Sequence, residues 1–287
     1  MPELPEVETM RRGILGIQGA TIVSARRAPC RRKPISIYPA SKYFQRRVAG
    51  REVCSVDRIG KRVVLRLDSD EAIVFEPRMT GLVLVTDPPT TEHLRFVLEL
   101  QNTSVDRLLF WDRRGLGSVR LLNKQELQSE LGPTRLGPDA LLITEQQMIE
   151  RFGSSSRAIK VALLDQRAIA GVGNLYASEM LHLAGIDPRL RCDRLSKIQW
   201  RALREAMRKI LNKAIRYEGS TLADGTYRNA LNDPGSYQNH HRVYARDGEP
   251  CPTCGRGKII RIVQAQRSTF FCEKCQKRKP VASRHRT

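Results

Sequence analysis

Residues 94–100 read LRFVLEL, and this stretch alternates apolar with charged side chains as a half-buried strand does. Similar short bursts occur at residues 63–67 (VVLRL) and 72–75 (AIVF). Such bursts recur from about residue 20 to residue 123. Short strands at this spacing predict an antiparallel β-sandwich or barrel in the N-terminal half of the chain.

Helical patterns flank this predicted β region on both sides. Residues 2–17 predict a helix, because Pro5 suits a first turn and early glutamates are favoured by the helix dipole. After residues 133–138 the apolar period changes to about 3.6. That period predicts helices at residues 145–152, 157–165, 174–184 and 197–218, which makes the fold class α+β. The next stretch, residues 219–239, is rich in Gly, Asn, Asp and Ser and is predicted to be a mobile loop.

The composition favours a polyanionic partner. Lys and Arg total 50 against 30 acidic residues, which gives a formal net charge of +20. A membrane surface is the alternative, but no apolar run approaches about 18 residues. The acidic first residues do not resemble a signal peptide, so we expect a cytoplasmic protein that binds nucleic acid.

Four of the seven cysteines form two C-x-x-C pairs with 17 residues between them. The four residues are Cys251, Cys254, Cys272 and Cys275. This spacing is typical of one structural zinc ion, and residues 258–263 (KIIRIV) between the pairs predict a strand of a metal-bound hairpin. Two redox dithiols are the alternative, but these usually lie near a βαβ unit. The remaining cysteines are isolated and indicate no site.

The N-terminus has unusual chemistry. If Met1 is removed, Pro2 becomes a secondary amine beside the carboxylates of Glu3 and Glu6. An α-amino group has a pKa near ~8, so such an amine is partly unprotonated at neutral pH. Its attack on a sugar C1′ would give an iminium, which acidifies the neighbouring C2′ protons. A proline-rich helix start without catalytic function is the alternative interpretation.

Three separated motifs carry a family resemblance. PELPEVET at residues 2–9, GVGNLYASE at 171–179 and QRSTFFC at 266–272 resemble, in order, the formamidopyrimidine-DNA glycosylase family. The related endonuclease VIII branch usually opens PEGPE, so Leu4 favours the formamidopyrimidine branch.

The resemblance implies a bifunctional DNA glycosylase and abasic-site lyase of base excision repair. Its substrates would be oxidised purines in damaged double-stranded DNA, removed through a Schiff base with β,δ-elimination. The implied architecture is a β-sandwich with a catalytic N-terminal helix (residues 1–135), a helix–two-turn–helix module (136–238), and a zinc-finger hairpin with a basic tail (239–287). We expect a monomer that acts on the nucleoid of a bacterial cell. The alternatives are excision of oxidised pyrimidines and a non-catalytic damaged-DNA-binding protein.

Four residues match the reacting centre of the family. Pro2 matches the Schiff-base nucleophile, and Glu3 matches the acid that assists opening of the sugar ring. Lys61 matches a strand-borne lysine that contacts phosphate and helps elimination; taken alone, it would be a solvated charge at a strand start. Arg267 matches the zinc-finger arginine that holds phosphates around the flipped nucleotide.

Three residues match the side chains that fill the gap left by a flipped base. Met79 matches the apolar plug, Arg114 the partner of the orphaned cytosine, and Leu116 a wedge. Without the resemblance, Met79 would be interpreted as a core methionine and Leu116 as a turn leucine.

Four further residues are predicted to contact DNA. Gly173 and Asn174 match the turn in which backbone N–H groups and the Asn amide bind phosphate at a helix N-terminus. Lys160 is expected on the preceding helix, where a plain surface lysine is the alternative. His93 matches one member of a histidine pair that many relatives have.

The chain departs from the family pattern at three places. Leu116 stands where relatives commonly have Phe, and it lacks the stacking face of an aromatic ring. Thr91 takes the place of the second histidine. Ser156 stands where some relatives have a basic phosphate contact, for which the neighbouring Arg157 is a candidate replacement.

Overall fold

The computed structural model describes residues 2–277; Met1 and most of the predicted basic tail, from Arg278 onward, lie outside the described residues. The described chain forms two compact units. The first unit comprises the residues up to Arg135 together with Lys213–Asn239, and the second comprises Leu136–Asn212 and the residues from His240 on.

The first unit contains nine strands and three complete helices among its described residues. The helices are α1 (Leu4–Gly13), α2 (Ser41–Val48) and α3 (Lys124–Leu131). The strands are β1 (Thr21–Arg27), β2 (Ser36–Tyr38), β3 (Val53–Ile59), β4 (Arg62–Leu67), β5 (Ala72–Glu76), β6 (Gly81–Leu84), β7 (Leu94–Gln101), β8 (Arg107–Asp112) and β9 (Ser118–Leu122).

These strands form two sheets that share one apolar core. One sheet has the order β1-β7-β8-β6 and the other the order β2-β9-β5-β4-β3. Phe44, Phe75, Phe96 and Phe110 meet in the core, where the rings of Phe44 and Phe96 pack edge-to-face with centroids 5.2 Å apart. The predicted α+β fold and sandwich are confirmed. All pairings are antiparallel except that of the short strand β2, which runs parallel to β9.

The second unit is mainly helical. It contains α4 (Glu145–Phe152), α5 (Ile159–Leu163), α6 (Asn174–Leu183) and all but the last residues of α7 (Lys197–Arg216), and it ends in a hairpin of β10 (Ile259–Gln264) and β11 (Arg267–Cys272). In this unit the predicted and observed helix ends agree within two residues, and at α4 they coincide. In the first unit, α1 ends at Gly13, four residues before the predicted end, and a short 3-10 turn follows at Leu15–Ile17. Among the described residues, no helix is long and apolar enough to span a membrane.

The segment of residues 219–239 lacks long elements, as expected, and it is packed within the first unit. Tyr227, Ala230 and Tyr237 are buried, and Ala230 lies so close to Gly13 of α1 that a Cβ on Gly13 would be 2.5 Å from its methyl group. Several of the polar groups are bonded within the segment itself. The predicted loop is therefore confirmed, and its mobility stays a prediction.

Candidate active site and nucleic-acid interface

The N-terminal residues of the first unit are buried. Pro2 lies directly before Glu3, which is the N-cap of α1. The backbone N–H of Glu3 donates to Oε2 of Glu6 at 2.9 Å, and the two glutamates form a capping box across the first turn. The peptide that follows Pro2 therefore has a fixed orientation. Sequence reasoning noted Glu6 only as a nearby carboxylate, although the spacing of a capping box was visible.

The other oxygen of Glu6 binds a residue far along the chain. Oε1 accepts the backbone N–H of Ser220 at 2.9 Å. Gly219, at φ +78°, leaves no room for a side chain, since a Cβ there would lie 2.9 Å from Cγ of Glu6. The hydroxyl of Tyr227 donates to the carbonyl of Glu218 at 2.9 Å beside this contact. Burial raises the pKa of Tyr227 well above its ordinary value, so the phenol remains a neutral donor.

Two residues after Glu6 on α1, Glu8 joins three arginines. Its carboxylate lies 2.9 Å from Arg11, 2.8 Å from Arg12 and 3.1 Å from Arg58 of β3. Burial alone would raise the pKa of Glu8, but the hydrogen bonds from Arg11 and Arg12 and the charges of Arg11 and Arg58 lower it to about 2. The cluster thus fixes α1 against the end of β3.

Arg58 also supports the turn that carries Lys61. Nη1 of Arg58 donates to the carbonyl of Gly60 at 2.9 Å, and Gly60 adopts φ +58°. Lys61 is half-buried and lies in the turn between β3 and β4, since β4 begins at Arg62. Lys61 was predicted to lie on a strand, but it lies in a turn. The reason is that Gly60 adopts a left-handed conformation, so β3 ends at Ile59.

The three predicted gap-filling residues lie on two neighbouring loops. Met79 precedes β6, while Arg114 and Leu116 follow β8, and β6 pairs with β8 so that Gly81 faces Asp112. The side chain of Arg114 is exposed, and Met79 and Leu116 are 37% and 40% exposed. Neither apolar residue is therefore part of the core.

A buried carboxylate connects the two loops. The hydroxyl of Thr80 donates to Oδ1 of Asp112, and the backbone N–H of Arg114 donates to the Thr80 hydroxyl at 3.0 Å. Oδ2 of Asp112 accepts the N–H of Gly117 at 2.7 Å. Asp112 thus binds the backbone on both sides of the Arg114–Leu116 segment. It also binds Thr80, the residue after Met79. Sequence reasoning missed both Thr80 and Asp112.

Arg95 supports the loop that follows β8. Its Nε donates to the carbonyl of Asp112 at 2.8 Å, and its Nη1 lies 2.7 Å from the sulphur of Cys30. Gly115 adopts φ +62°, and a Cβ there would lie 2.5 Å from the carbonyl oxygen of Lys33. The loop that carries Arg114 and Leu116 is therefore tightly constrained.

Two expected phosphate contacts have partners within the protein. The ring of His93 packs edge-to-face on Trp111 with centroids 5.4 Å apart, and burial lowers the pKa of His93. Nη1 of Arg157 lies 3.0 Å from Oδ2 of Asp165, whereas Ser156 is exposed. DNA contact by His93 or Arg157 stays a prediction.

In the second unit, the predicted phosphate-binding residues lie beside the hairpin. Gly173 is the N-cap of α6, and Nδ2 of Asn174 donates to the carbonyl of Ser268 in β11 at 2.9 Å. Lys160, which is 0% exposed, donates from Nζ to Oδ1 of Asn174 at 2.5 Å. Arg267, the exposed first residue of β11, directly precedes Ser268. Lys160 is therefore a buried residue that orients Asn174, not the surface lysine of the alternative interpretation.

The four predicted metal ligands converge in the same unit. Their sulphur atoms lie within 4.8 Å of one another, with 3.7 Å between Cys251 and Cys275 and 3.8 Å between Cys254 and Cys272. A tetrahedral zinc ion with Zn–S bonds of about 2.3 Å requires sulphur atoms about 3.8 Å apart. The cluster therefore fits one structural zinc ion.

A further buried carboxylate in this unit was missed. Glu179 of α6 accepts the backbone N–H groups of Arg242, Val243 and Tyr244, at 2.9 Å from Oε1 for the last two. Burial raises the pKa of Glu179, and these N–H groups oppose that effect. Glu179 thereby holds the segment that leads into the zinc site. Its only sequence signal was a charged residue within an apolar helix.

Comparison with known proteins agrees with this arrangement. Residues 1–119 match the formamidopyrimidine-DNA glycosylase N-terminal domain, residues 136–225 the H2TH domain of the same glycosylase, and residues 248–278 the zinc finger found in FPG and IleRS. The chain belongs to the formamidopyrimidine-DNA glycosylase family.

Individual relatives are similar over nearly the full chain. The formamidopyrimidine-DNA glycosylase of Chloroflexus aurantiacus is 40% identical over 282 residues, covering 96% of this chain and 98% of the relative. The crystal structure of MutM (FPG) from Thermus thermophilus matches with a TM-score of 0.83 and 35% identity, covering 97% of this chain and 100% of that one. A mutant of Lactococcus lactis FPG in complex with Fapy-dG-containing DNA matches with a TM-score of 0.83 and 29% identity, covering 96% and 100%.

Membership of the glycosylase family settles the broad activity. The chain is a DNA glycosylase and abasic-site lyase of base excision repair, with one structural zinc ion. Four thiolate ligands fill the coordination shell of such an ion and leave no open position, so its contribution is structural. The roles of individual residues are a separate matter.

Proposed function

We propose that this glycosylase removes oxidised purines, such as 8-oxoguanine and formamidopyrimidines, through a Schiff base on Pro2. The anchored N-terminus supports the proposal most strongly, because Pro2 and Glu3 are buried and the N–H after Pro2 is held by Glu6. Chain termini usually fray unless they are tied down. Such anchoring suits a reacting amine, whereas a protein that only binds DNA has no need of it.

The proposed reaction begins after removal of Met1. The amine of Pro2 attacks C1′ of the damaged nucleoside, and the bond from C1′ to the base breaks as the base leaves with a proton. Glu3 protonates the ring oxygen, so that the sugar opens and Pro2 and C1′ form an iminium. Loss of a C2′ proton then expels the 3′ phosphate, and a second elimination expels the 5′ phosphate. Water then hydrolyses the remaining iminium, which frees Pro2 and the unsaturated sugar fragment and leaves a one-nucleotide gap.

We propose a separate set of DNA-contacting residues for each unit. In the first unit, Lys61 contacts phosphate and assists elimination, while exposed Met79, Arg114 and Leu116 fill the gap and meet the orphaned base. Their position on neighbouring loops supports a joint role.

In the second unit, Arg267, Gly173 and Asn174 bind phosphates around the flipped nucleotide. Lys160 contributes through Asn174, which its ammonium contacts. We propose that His93, whose ring packs on Trp111, also contacts DNA at the margin of the interface.

The purine substrate class rests on the branch of the family. The Lactococcus lactis relative was solved with Fapy-dG-containing DNA, and the opening motif with Leu4 is that of the formamidopyrimidine branch. We also propose a monomer, a bacterial cytoplasmic location at the nucleoid, and domains of residues 1–135, 136–238 and 239–287. The three matched family domains support the order of these domains, although Lys213–Asn239 pack with the first compact unit.

Borohydride trapping tests the proposal directly. Sodium borohydride, added during incubation with an 8-oxoguanine duplex, should give a covalent protein–DNA adduct that maps to Pro2. A chain that retains any residue before Pro2 should bind the duplex without cutting it, because the amine is then an amide. Glu3→Gln should lose base excision but keep much of its nicking of preformed abasic sites. Full cutting by the extended chain would contradict the assignment of Pro2, and preferential cutting at oxidised pyrimidines would contradict the substrate class.

A further inference from the structure

A histidine outside the finger reaches one of the zinc ligands. His182 lies on the last turn of α6 and is 3% exposed. Its Nε2 lies 3.5 Å from the sulphur of Cys251, within hydrogen-bonding distance of a sulphur acceptor. Neither the C-x-x-C spacing nor the helix–two-turn–helix motif predicts this contact.

The Cys251 sulphur needs a protein donor. Four thiolates on one divalent ion leave excess negative charge on the sulphur atoms. Cys251 and Cys272 are 1% and 0% exposed, so water does not solvate them. Cys272 receives the backbone N–H groups of Lys274 and Cys275, and buried anionic groups without donors are costly. The imidazole of His182 supplies a donor to Cys251 from another element.

The surroundings of the ring select one tautomer. Nδ1 of His182 is buried and has no hydrogen-bond partner within the described part of the chain. A proton on Nδ1 would therefore be an unsatisfied donor, and it would leave the lone pair of Nε2 facing an anionic sulphur. A proton on Nε2 avoids both conflicts.

We propose that His182 donates Nε2–H to the zinc-bound thiolate of Cys251 and thereby couples metal binding to the docking of the finger on α6. Glu179 lies one turn earlier on the same face of α6 and accepts the N–H groups of Arg242, Val243 and Tyr244. The helix thus holds the approach to the finger through an acceptor and the first ligand through a donor. His182 is a positioning residue of the metal site, not a ligand.

Matched variants test the donor. The amide nitrogen of Gln occupies nearly the place of Nε2, whereas that of Asn falls short and Phe fills the volume without a donor. Competition with a chromophoric zinc chelator should show His182→Gln within about threefold of the wild-type Kd. His182→Asn and His182→Phe should weaken zinc binding by about tenfold or more, as is typical when a partner of a metal ligand is lost. Wild-type affinity in both Asn and Phe variants would overturn the proposal.

Two spectroscopic and chemical readouts separate a donor from mere packing. Long-range ¹H–¹⁵N correlation on the zinc-loaded wild-type protein should show the proton on Nε2, and a proton on Nδ1 would overturn the proposal even if no variant folds. Alkylation of the zinc-loaded proteins, followed by mass spectrometry, should show Cys251 reacting faster in His182→Phe while Cys254 changes little. An equal increase at all four cysteines would assign His182 to packing alone.

Discussion

At the scale of single residues, burial separates side chains that look alike in the sequence. Met79 was compatible with a core position and Leu116 with a structural turn, but both side chains are more than one-third exposed. Lys160 was compatible with a surface position, but it is fully buried against Asn174. Exposure of an apolar side chain beside an arginine on a rigid loop is the expected property of a wedge.

The exposure of Leu116 leads to a specific prediction. Leu116→Ala should change the free energy of unfolding by less than about 1 kcal/mol, because surface substitutions leave no cavity. Affinity for lesion-containing duplex, measured by fluorescence anisotropy, should fall clearly. Leu116→Phe should lengthen residence on undamaged duplex by adding a stacking face. A core leucine would instead cost ~2–5 kcal/mol when truncated, and that result with normal lesion affinity would remove Leu116 from the interface.

Glu8 predicts a pH dependence of stability. Its pKa falls from 4.5 to about 2 in the folded protein, so its stabilising contribution is present above pH ~4.5 and is lost as pH falls toward about 2. In urea unfolding at a series of pH values, the deficit of Glu8→Gln against wild type should therefore shrink between about pH 5 and about pH 2.

Glu99→Gln provides the matched control for Glu8. Glu99 pairs with Arg26 at 3.2 Å, but its side chain is 45% exposed, and exposed ion pairs contribute little. Its deficit should be small at every pH. A Glu8→Gln deficit that does not vary with pH would contradict the role assigned to the three arginines.

At the scale of elements, the two loops that follow β5 and β8 behave as one unit because Asp112 and Thr80 bond them together. Sequence analysis identified the tips of these loops but not what joins them. A single threonine gives no periodic signal in a sequence. Its bond to Asp112 could be predicted only once β6 was known to pair with β8.

Removal of the Thr80 hydroxyl should separate the loops. Thr80→Val keeps the side-chain shape but loses the donor to Asp112 and the acceptor for the Arg114 N–H, which should cost about 1–3 kcal/mol of stability. Lesion affinity and opposite-base discrimination should fall, while single-turnover cleavage at a preformed abasic site remains close to wild type. Thr80→Ser retains the hydroxyl and should retain both properties. Equal discrimination in the Val and Ser variants would contradict the coupling.

Sequence patterns predicted the elements better than their contacts. Strand periodicity located residues 63–67 and 94–100, and the C-x-x-C spacing located the metal site, because these signals are local. Helices α2 and α3 were missed, since each has only eight residues and lies between predicted strands or directly after them. The packing of Ser220 on Glu6 could not be predicted, because 214 positions separate the two residues in the chain.

At the scale of the whole molecule, the two compact units predict separable responses to metal removal. Chelation should release about one zinc ion per chain and disorder the hairpin that carries Arg267, since structural zinc contributes directly to folding. DNA affinity should fall while the near-ultraviolet circular dichroism of Trp111, in the first unit, is retained in a Trp200→Phe background, which removes the tryptophan of the second unit. Active protein without zinc by metal analysis would refute the structural role, and loss of the Trp111 signal would show that the first unit depends on the metal.

The bond between Glu6 and Ser220 also bears on the order of synthesis. Translation runs from the N-terminus, so the proposed nucleophile emerges early, while Gly219 and Ser220 emerge more than 200 residues later. The β-sandwich strands are complete by Leu122, but the segment that encloses Glu6 belongs to the same unit and is still inside the ribosome or untranslated. A nascent or prematurely terminated chain therefore lacks the Ser220 contact that orients Glu6. With Pro2 as the proposed nucleophile, we expect competence to cut DNA only near the end of translation.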